Sequence, residues 1–262
     1  MNIIVCIKQV ITGDQVRIDP RTHSVVRSAE FSRINPFDLF AIHMAVQLKK
    51  DYPASSITAV TMGPGISEEV LWEAFAAGVD RGILLSDPRF AASDTLATSY
   101  VLGMGIRKMG QFDLILCGTR TADSDTGQVG PQLAEELNIP HVTAVEKLER
   151  TDRVFRVERL SDGFRETIEV PAPALFTVAS KGHVRVPSLT EIQDAFSRSS
   201  VECWNLEDVH AEPAKVGNAG SCTWVEELIP AAQQKSCTFM EGDPRQQARS
   251  LFAMMVEKNV LS

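Results

Sequence analysis

Apolar and polar positions along this chain alternate between two periods. Residues 3–7, "IIVCI", form a continuous apolar run, the pattern of a strand buried on both faces. The pattern returns at 57–64, "ITAVTMGP", at 81–86, "RGILLS", and at 112–118, "FDLILCG". Helical signals lie between these runs. Asn35 precedes Pro36, an N-cap followed by proline in the first turn. Leu39, Ile42, Met44 to Val46 and Leu48 then give a stripe that ends in Lys49 and Lys50. Ser67 reads as the cap of a second helix that closes at Gly78, and Asp94 as the cap of a third that runs to about Lys108 and stops at Gly110. Pro131 stands near the start of a fourth, "PQLAEEL". Strands alternating with helices imply βαβ units. The expected fold class is therefore α/β, a mostly parallel sheet flanked by helices.

After residue 144 the rhythm changes. "AVEKLERTDRVFRVERLSDGFRETIEV" alternates like antiparallel strands, with turns at Thr151-Asp152 and Asp162-Gly163. "PAPALFTV", 171–178, is one more buried strand, and from about residue 180 periodicity fades until "RQQARSLFAMMVEKNV", 245–260, a terminal helix. A stretch of this length without pattern is too long for an ordinary loop; it is either an arm laid across another protein or a flexible tail. The expected division is an α/β domain over 1–184, with an antiparallel insert, and an extended C-terminal arm over 185–262.

Composition narrows the function. A formal charge of −8 argues against nucleic acid or an anionic membrane as partner. No apolar run reaches spanning length, and the N-terminus reads as a cytosolic start, so a cytoplasmic location without membrane insertion is expected. The five cysteines are widely spaced without a C-x-x-C pair, which fits reduced thiols better than disulfides or zinc.

The chemistry concentrates in "CGTRTADSDTGQVGP", 117–131, with three glycines, four hydroxyls and two acids directly after a buried strand. Ligands of open α/β sheets bind where such loops leave the strands. Gly127 and Gly130 allow close backbone approach, the next helix supplies a partial positive charge, and Thr121, Ser124, Thr126 and Gln128 can donate to phosphate or ribose oxygens. Asp123 and Asp125 would repel a phosphate and suit ribose hydroxyls, a cap or a cation better. A plain turn explains the loop equally well when it is taken alone. Three further loops leave the same edge: Cys6 to Gln9, Met62 to Gly65, and Phe90 to Thr98, where Ser93 or Asp94 also serves as an ordinary N-cap. The P-loop signature is missing, as is G-x-G-x-x-G after the first strand, where "IKQV" stands. The "GMG" at 103–105 falls inside the third helix, as packing glycines. The five histidines have no catalytic context and no metal-ligand cluster is visible, so no catalytic residue and no metal are expected. A sheet edge suited to a nucleotide, without hydrolytic machinery, reads as a carrier or a structural cofactor site.

The segments "VCIKQV", "INPFDLFAI", "TMGP", "AFAAGVDRGILLSD", "FAASDTLATSYVL", "FDLILCG", "DSDTGQVGPQLAEELNIP", "PALFTV", "VPSL" and "EGDPRQQARSLF" occur in this order. In that order they resemble the electron transfer flavoprotein β subunit over nearly the whole chain. The resemblance implies an adenine-nucleotide-binding, Rossmann-like fold. It also implies an α subunit that carries an exchangeable FAD and receives the C-terminal arm. The nucleotide would contact Cys6, Asn35, Asp38, Gly63, Cys117, Asp123, Thr126, Gly127, Gln128, Val129, Gly130 and Thr143. In ordinary members the β site holds AMP, and in electron-bifurcating members a second FAD. "FAASDTLATSYVL" is similar to the bifurcating type, which adds Asp94, Thr95 and Thr98 to the cofactor set. Ala91, Ala92 and Ala97 would leave room for a flat ring. That type implies NADH as electron donor, with ferredoxin and an acyl-CoA dehydrogenase-like protein as redox partners. Two departures stand out. Thr119-Arg120 replaces the family's [RK]-Q. The dehydrogenase-docking loop, "KGHVRVPSLTEIQDAFSRSS", has lost most of its basic run and keeps Arg198, with Leu189, Ile192 and Ala195 as apolar docking residues. The rival reading is a stand-alone adenine-nucleotide module like the universal stress proteins. A PP-loop ligase would need S-G-G-x-D-S where "IKQVIT" stands.

Overall fold

The computed structural model describes residues 1–11, 32–179, 183–226 and 237–260. The long apolar runs form the middle of a nine-stranded sheet. β1 (Asn2–Cys6) lies between β4 (Ser56–Met62) and β6 (Leu114–Gly118). Beyond β4 come β5 (Arg81–Leu85) and β11 (Val201–Trp204). Beyond β6 come β10 (Ala174–Val178), β7 (His141–Thr151), β8 (Val154–Ser161) and β9 (Phe164–Pro171). Pairing is parallel from β11 to β7 and antiparallel from β7 through β8 to β9. The chain thus builds outward from β1 first to one side and then to the other. β1 is the switch point, where the ends of neighbouring strands open a crevice. A short antiparallel pair, β2 (Gln9–Ile11) with β3 (Ser32–Ile34), follows β1.

Alternate β1 side chains go to opposite faces, which explains why the run is apolar throughout. Ile3 and Val5 join α1 (Pro36–Asp51) and α2 (Glu69–Ala76) in one core through Ile42, Ala45, Leu71 and Phe75. Ile4 and Cys6 join α3 (Thr95–Met109) and α4 (Val129–Leu137) in the other through Val101, Ile106, Leu133 and Ala134. The glycines at 103 and 105 are packing residues: an added Cβ would meet Glu136 at 2.7 Å and Leu85 at 2.8 Å.

The compact unit continues to Glu226, well past the division expected at 184. α5 (Leu189–Arg198) opens with a Ser188–Glu191 capping box and packs on α2, where Phe196 stacks on Trp72 at 5.0 Å. β11 extends the sheet beside β5, tied by a two-pronged Arg81–Glu202 ion pair. Leu206, Val209, Ala211 and Val216 then bury themselves in the second core. Their irregular spacing hid them, because neither a helix nor a strand sets it. The short α6 (Gly217–Gly220) follows. The second unit, Glu227–Ser262, contains α7 (Pro244–Glu257), opened by an Asp243–Gln246 capping box. Among the described residues no helix is long and apolar enough to cross a membrane.

Two caps differ from expectation. Asn35 makes no side-chain cap for α1, and Ser67 lies inside a short 3-10 turn, Gly65–Glu68, rather than capping α2. Both side chains are buried and bond across to other loops, which is a better use of a buried polar group than a local cap.

Candidate functional site

The loops that leave β1, β4 and β6 converge at the crevice, and buried polar side chains hold them together. Asn35 is fully buried. Its amide donates to the Arg120 carbonyl at 2.9 Å, and its carbonyl accepts from the Ala122 N–H at 3.2 Å. It therefore fixes both sides of the loop after β6. Asp38, on the first turn of α1, accepts from the Lys8 N–H at 2.8 Å and the Gly118 N–H at 3.2 Å, joining the ends of β1 and β6. Burial pushes its carboxyl up to about 7, against hydrogen bonds from Asn35, Lys8 and Gly118 that favour the ionised form. Gly118 has to be glycine here, since a Cβ would lie 2.4 Å from Asp38 Oδ1 and 2.8 Å from the Phe37 carbonyl carbon.

Cys6 and Cys117 are register partners on β1 and β6, and both are buried beneath these loops. Contact with Cys6, reinforced by burial, pushes the Cys117 thiol well up, so it is no thiolate nucleophile. Gly63 follows β4 and donates to the Leu85 carbonyl at 3.1 Å. Below it, Ser67 donates to buried Gln9 at 2.9 Å, linking β2 to this loop.

The two acids that argued against an anion are both paired. Lys8 Nζ lies 2.7 Å from Asp123, and Arg120 lies 3.3 Å from Asp125. Partial burial alone would raise Asp123, but Lys8, Thr121 and Ser124 outweigh it and hold the carboxyl below its usual range. Arg120 also sits 4.9 Å from the centre of the Phe37 ring. Lys8 is the residue that sequence reasoning missed. It belongs to a quoted loop, but nothing local ties it to a partner 115 residues away.

Beyond Asp125 the backbone turns with positive φ at Asp125 and Gly127, then enters α4. Among the described residues, the backbone N–H groups of Thr126, Gly127, Gln128 and Val129 have no protein acceptor. Thr126 and Gln128 are exposed, while Gly130 is buried, with Thr177 only 2.6 Å from where its Cβ would be. The result is an open set of N–H donors at a helix N-terminus, with the neighbouring carboxylates neutralised. That arrangement suits an anion. Among the described residues no group of three acidic, histidine or cysteine side chains could hold a metal.

The loop after β5 meets this cradle. Thr95 Oγ1 donates to Gln128 Oε1 at 2.9 Å, and Ser99 Oγ lies 3.3 Å from the Val129 carbonyl. Ala91 and Ala92 are exposed, Thr98 is half-buried, and Ala97 is buried, so Ala97 leaves no open space for a ring. Ser93 is also engaged, donating to the Phe90 carbonyl at 2.8 Å and accepting from Gly217 N–H. The Asp94 carboxylate is taken up by backbone N–H groups and a hydroxyl of this chain. Thr143 stands on β7, separated from β6 by β10, and accepts from Arg159 at 3.3 Å.

The expected docking residues fall on different faces of α5. Leu189 is 85% exposed and Ile192 is 36% exposed, but Ala195 is buried at 6%. Ala195 seats α5 on the core, and Phe196, 61% exposed, takes its place on the outward stripe. Arg185 is bound by Glu191 through contacts of 2.7 and 2.8 Å. The side chain of Arg198 lies outside the described residues.

Comparison with known proteins gives one consistent match. The family model described as the electron transfer flavoprotein domain matches residues 22–197. The electron transfer flavoprotein subunit beta of Clostridium acetobutylicum is 39% identical over 227 residues, covering 86% of each chain. The caffeyl-CoA reductase-Etf complex subunit CarD of Acetobacterium woodii is 37% identical over 264 residues, covering all of both chains. Protein FixA of Azorhizobium caulinodans is 35% identical over 268 residues, covering 98% of this chain and 95% of the relative.

Proposed function

Because the chain belongs to the electron transfer flavoprotein family, as a β-subunit homologue, we propose that its N–H cradle holds the phosphates of an adenine nucleotide, FAD in preference to AMP. The observation that carries this is the row of unpaired N–H groups at residues 126–129, beside acids already matched by Lys8 and Arg120. The backbone N–H groups of Thr126, Gly127, Gln128 and Val129 would receive the phosphate oxygens. Asn35, Asp38 and Lys8 shape the cradle without exposing a charge to it. Cys6, Cys117 and Gly63 line the strand ends, and Gly130 allows α4 to approach β10. Thr143 stands apart from the cradle, on β7, with its hydroxyl bonded to Arg159.

Support for FAD over AMP comes from the loop at 90–98, which touches the cradle through Thr95 and Gln128 and presents the small side chains of Ala91 and Ala92 outward. When bound, a flavin supplies the hydride-accepting and electron-transferring chemistry; the chain's residues bind and orient it. The reading includes an α subunit and a cytoplasmic location. Its electron donor is NADH, and its redox partners are an acyl-CoA dehydrogenase-like protein, docked at Leu189, Ile192 and Phe196, and ferredoxin. The naming of one relative as part of a caffeyl-CoA reductase complex favours that type of partner. A conventional carrier with AMP is the second reading, since the cradle's donors suit the phosphate of either nucleotide. The test is release of bound nucleotide from the complex purified with its α subunit. One FAD assigned to this chain supports the proposal, AMP in its place overturns it in favour of the second reading, and an empty cradle in every preparation contradicts both.

A further inference from the structure

Asp94 stands at the rim of the cradle, yet its carboxylate faces donors of its own chain. One oxygen accepts from the Ala97 N–H at 3.0 Å, an ordinary N-cap for α3. The other accepts three times from a segment more than a hundred residues away: Cys222 N–H at 2.8 Å, Thr223 N–H at 3.0 Å and the Thr223 hydroxyl at 3.1 Å. The Asp94 N–H in turn donates to Ser221 Oγ at 2.8 Å. Capping needs only the first of these contacts, so the rest need another explanation.

The segment is fitted to this place. Gly217 has φ +56°, and a Cβ there would lie 2.1 Å from the Arg89 carbonyl oxygen. Its N–H donates to Ser93 Oγ at 3.1 Å. On its other side the N-terminus of α3 leads to the cradle, through Thr95 to Gln128 at 2.9 Å and through Ser99 to the Val129 carbonyl at 3.3 Å. Residues 221–223 are thus joined to residues 128–129 by an unbroken series of hydrogen bonds and one helix turn. They also stand just before Glu226, where the first unit ends.

We propose that Asp94 is a positioning residue, a clasp that couples the 126–129 cradle to the 221–226 segment through which the chain leaves its first unit. The clasp has two arrangements, closed on Asp94 or released. A nucleotide that orders the cradle and Gln128 favours the closed one. By linkage, the closed clasp tightens nucleotide binding by the same factor. The inference rests on the reading that the cradle holds an adenine nucleotide.

The test uses the full chain in its purified complex with the α subunit, stripped of nucleotide at the cradle and titrated with AMP and, in parallel, with FAD. Hydrogen exchange at the Cys222 and Thr223 amides reads the clasp, and calorimetry reads binding separately. Saturation with a binding nucleotide is expected to slow these amides by about fivefold or more. Thr223→Val removes one clasp donor, is exposed, and touches no part of the cradle. It is expected to weaken nucleotide binding by at least about threefold and to diminish the protection, with Asp94→Asn stronger in both respects. Nucleotide binding that leaves the clasp amides unchanged, or wild-type affinity in Thr223→Val, overturns the coupling alone. Failure of both AMP and FAD to bind overturns the nucleotide reading and the coupling with it.

Discussion

The Lys8 ammonium lies 2.7 Å from the Asp123 carboxylate, bringing the loop after β1 onto the loop after β6 at the switch point of the sheet. Under the proposed function this pair keeps the Asp123 charge from repelling the phosphates held by the cradle.

Lys8→Met is therefore expected to weaken nucleotide binding by about tenfold, because it leaves the Asp123 carboxylate unpaired and repelling the phosphates. Folding stability should change by no more than about 1 kcal/mol, because both partners are partly exposed and solvent screens them. Calorimetry with AMP and urea unfolding separate the two quantities. Adding Asp123→Asn should restore part of the affinity. Unchanged binding in Lys8→Met would remove the pair from the account.

Asp38 gives the fold a pH dependence of known sign. Its carboxyl rises from an ordinary value of 3.8 to about 7 in the folded chain, so the folded state holds a proton that the unfolded state has released. Its contribution to stability is therefore largest below about pH 4 and is lost as pH rises towards 7. The total is about 4 kcal/mol at roughly 1.4 kcal/mol per unit. Urea unfolding of wild type and Asp38→Asn at steps across that window should show their stability difference moving in favour of the variant as pH rises. Parallel profiles would contradict it.

The outward stripe of α5 predicts how the redox partner docks. Leu189→Ala and Phe196→Ala should each slow electron delivery by an amount equivalent to about 1–3 kcal/mol, the usual range for a truncated anchor. Stability should stay within about 0.5 kcal/mol for Leu189→Ala, because that side chain is almost wholly exposed. Since Glu191 already neutralises Arg185, electron delivery should depend only weakly on salt. Steady-state kinetics at several ionic strengths reads both effects. A steep salt dependence, or wild-type kinetics in both variants, would sink this docking face.

The parallel strands were legible because burial on both faces leaves an uninterrupted apolar run, and that holds for 3–7, 82–85 and 114–117. The return of the chain to the sheet at β11 was not legible. Val201–Trp204 is a short edge strand, and the apolar residues after it follow no period. The glycine- and hydroxyl-rich loop at 117–131 announced itself locally, but its electrostatics did not. Asn35, Lys8 and Arg120 decide those, and two of the three act across the sheet edge on residues far away in sequence. The misplacement of Ala195 has a simpler origin. Six residues after Leu189 a helix has turned to about 240°, the far face, whereas Phe196 at seven residues returns to within about 20° of Leu189.

The most direct test of the central claim is the nucleotide content of the intact αβ complex, released by acid and separated by chromatography. Two FAD per αβ pair are expected, one of them held by the cradle at residues 126–129. One FAD with one AMP would contradict it and make the protein a single-flavin carrier.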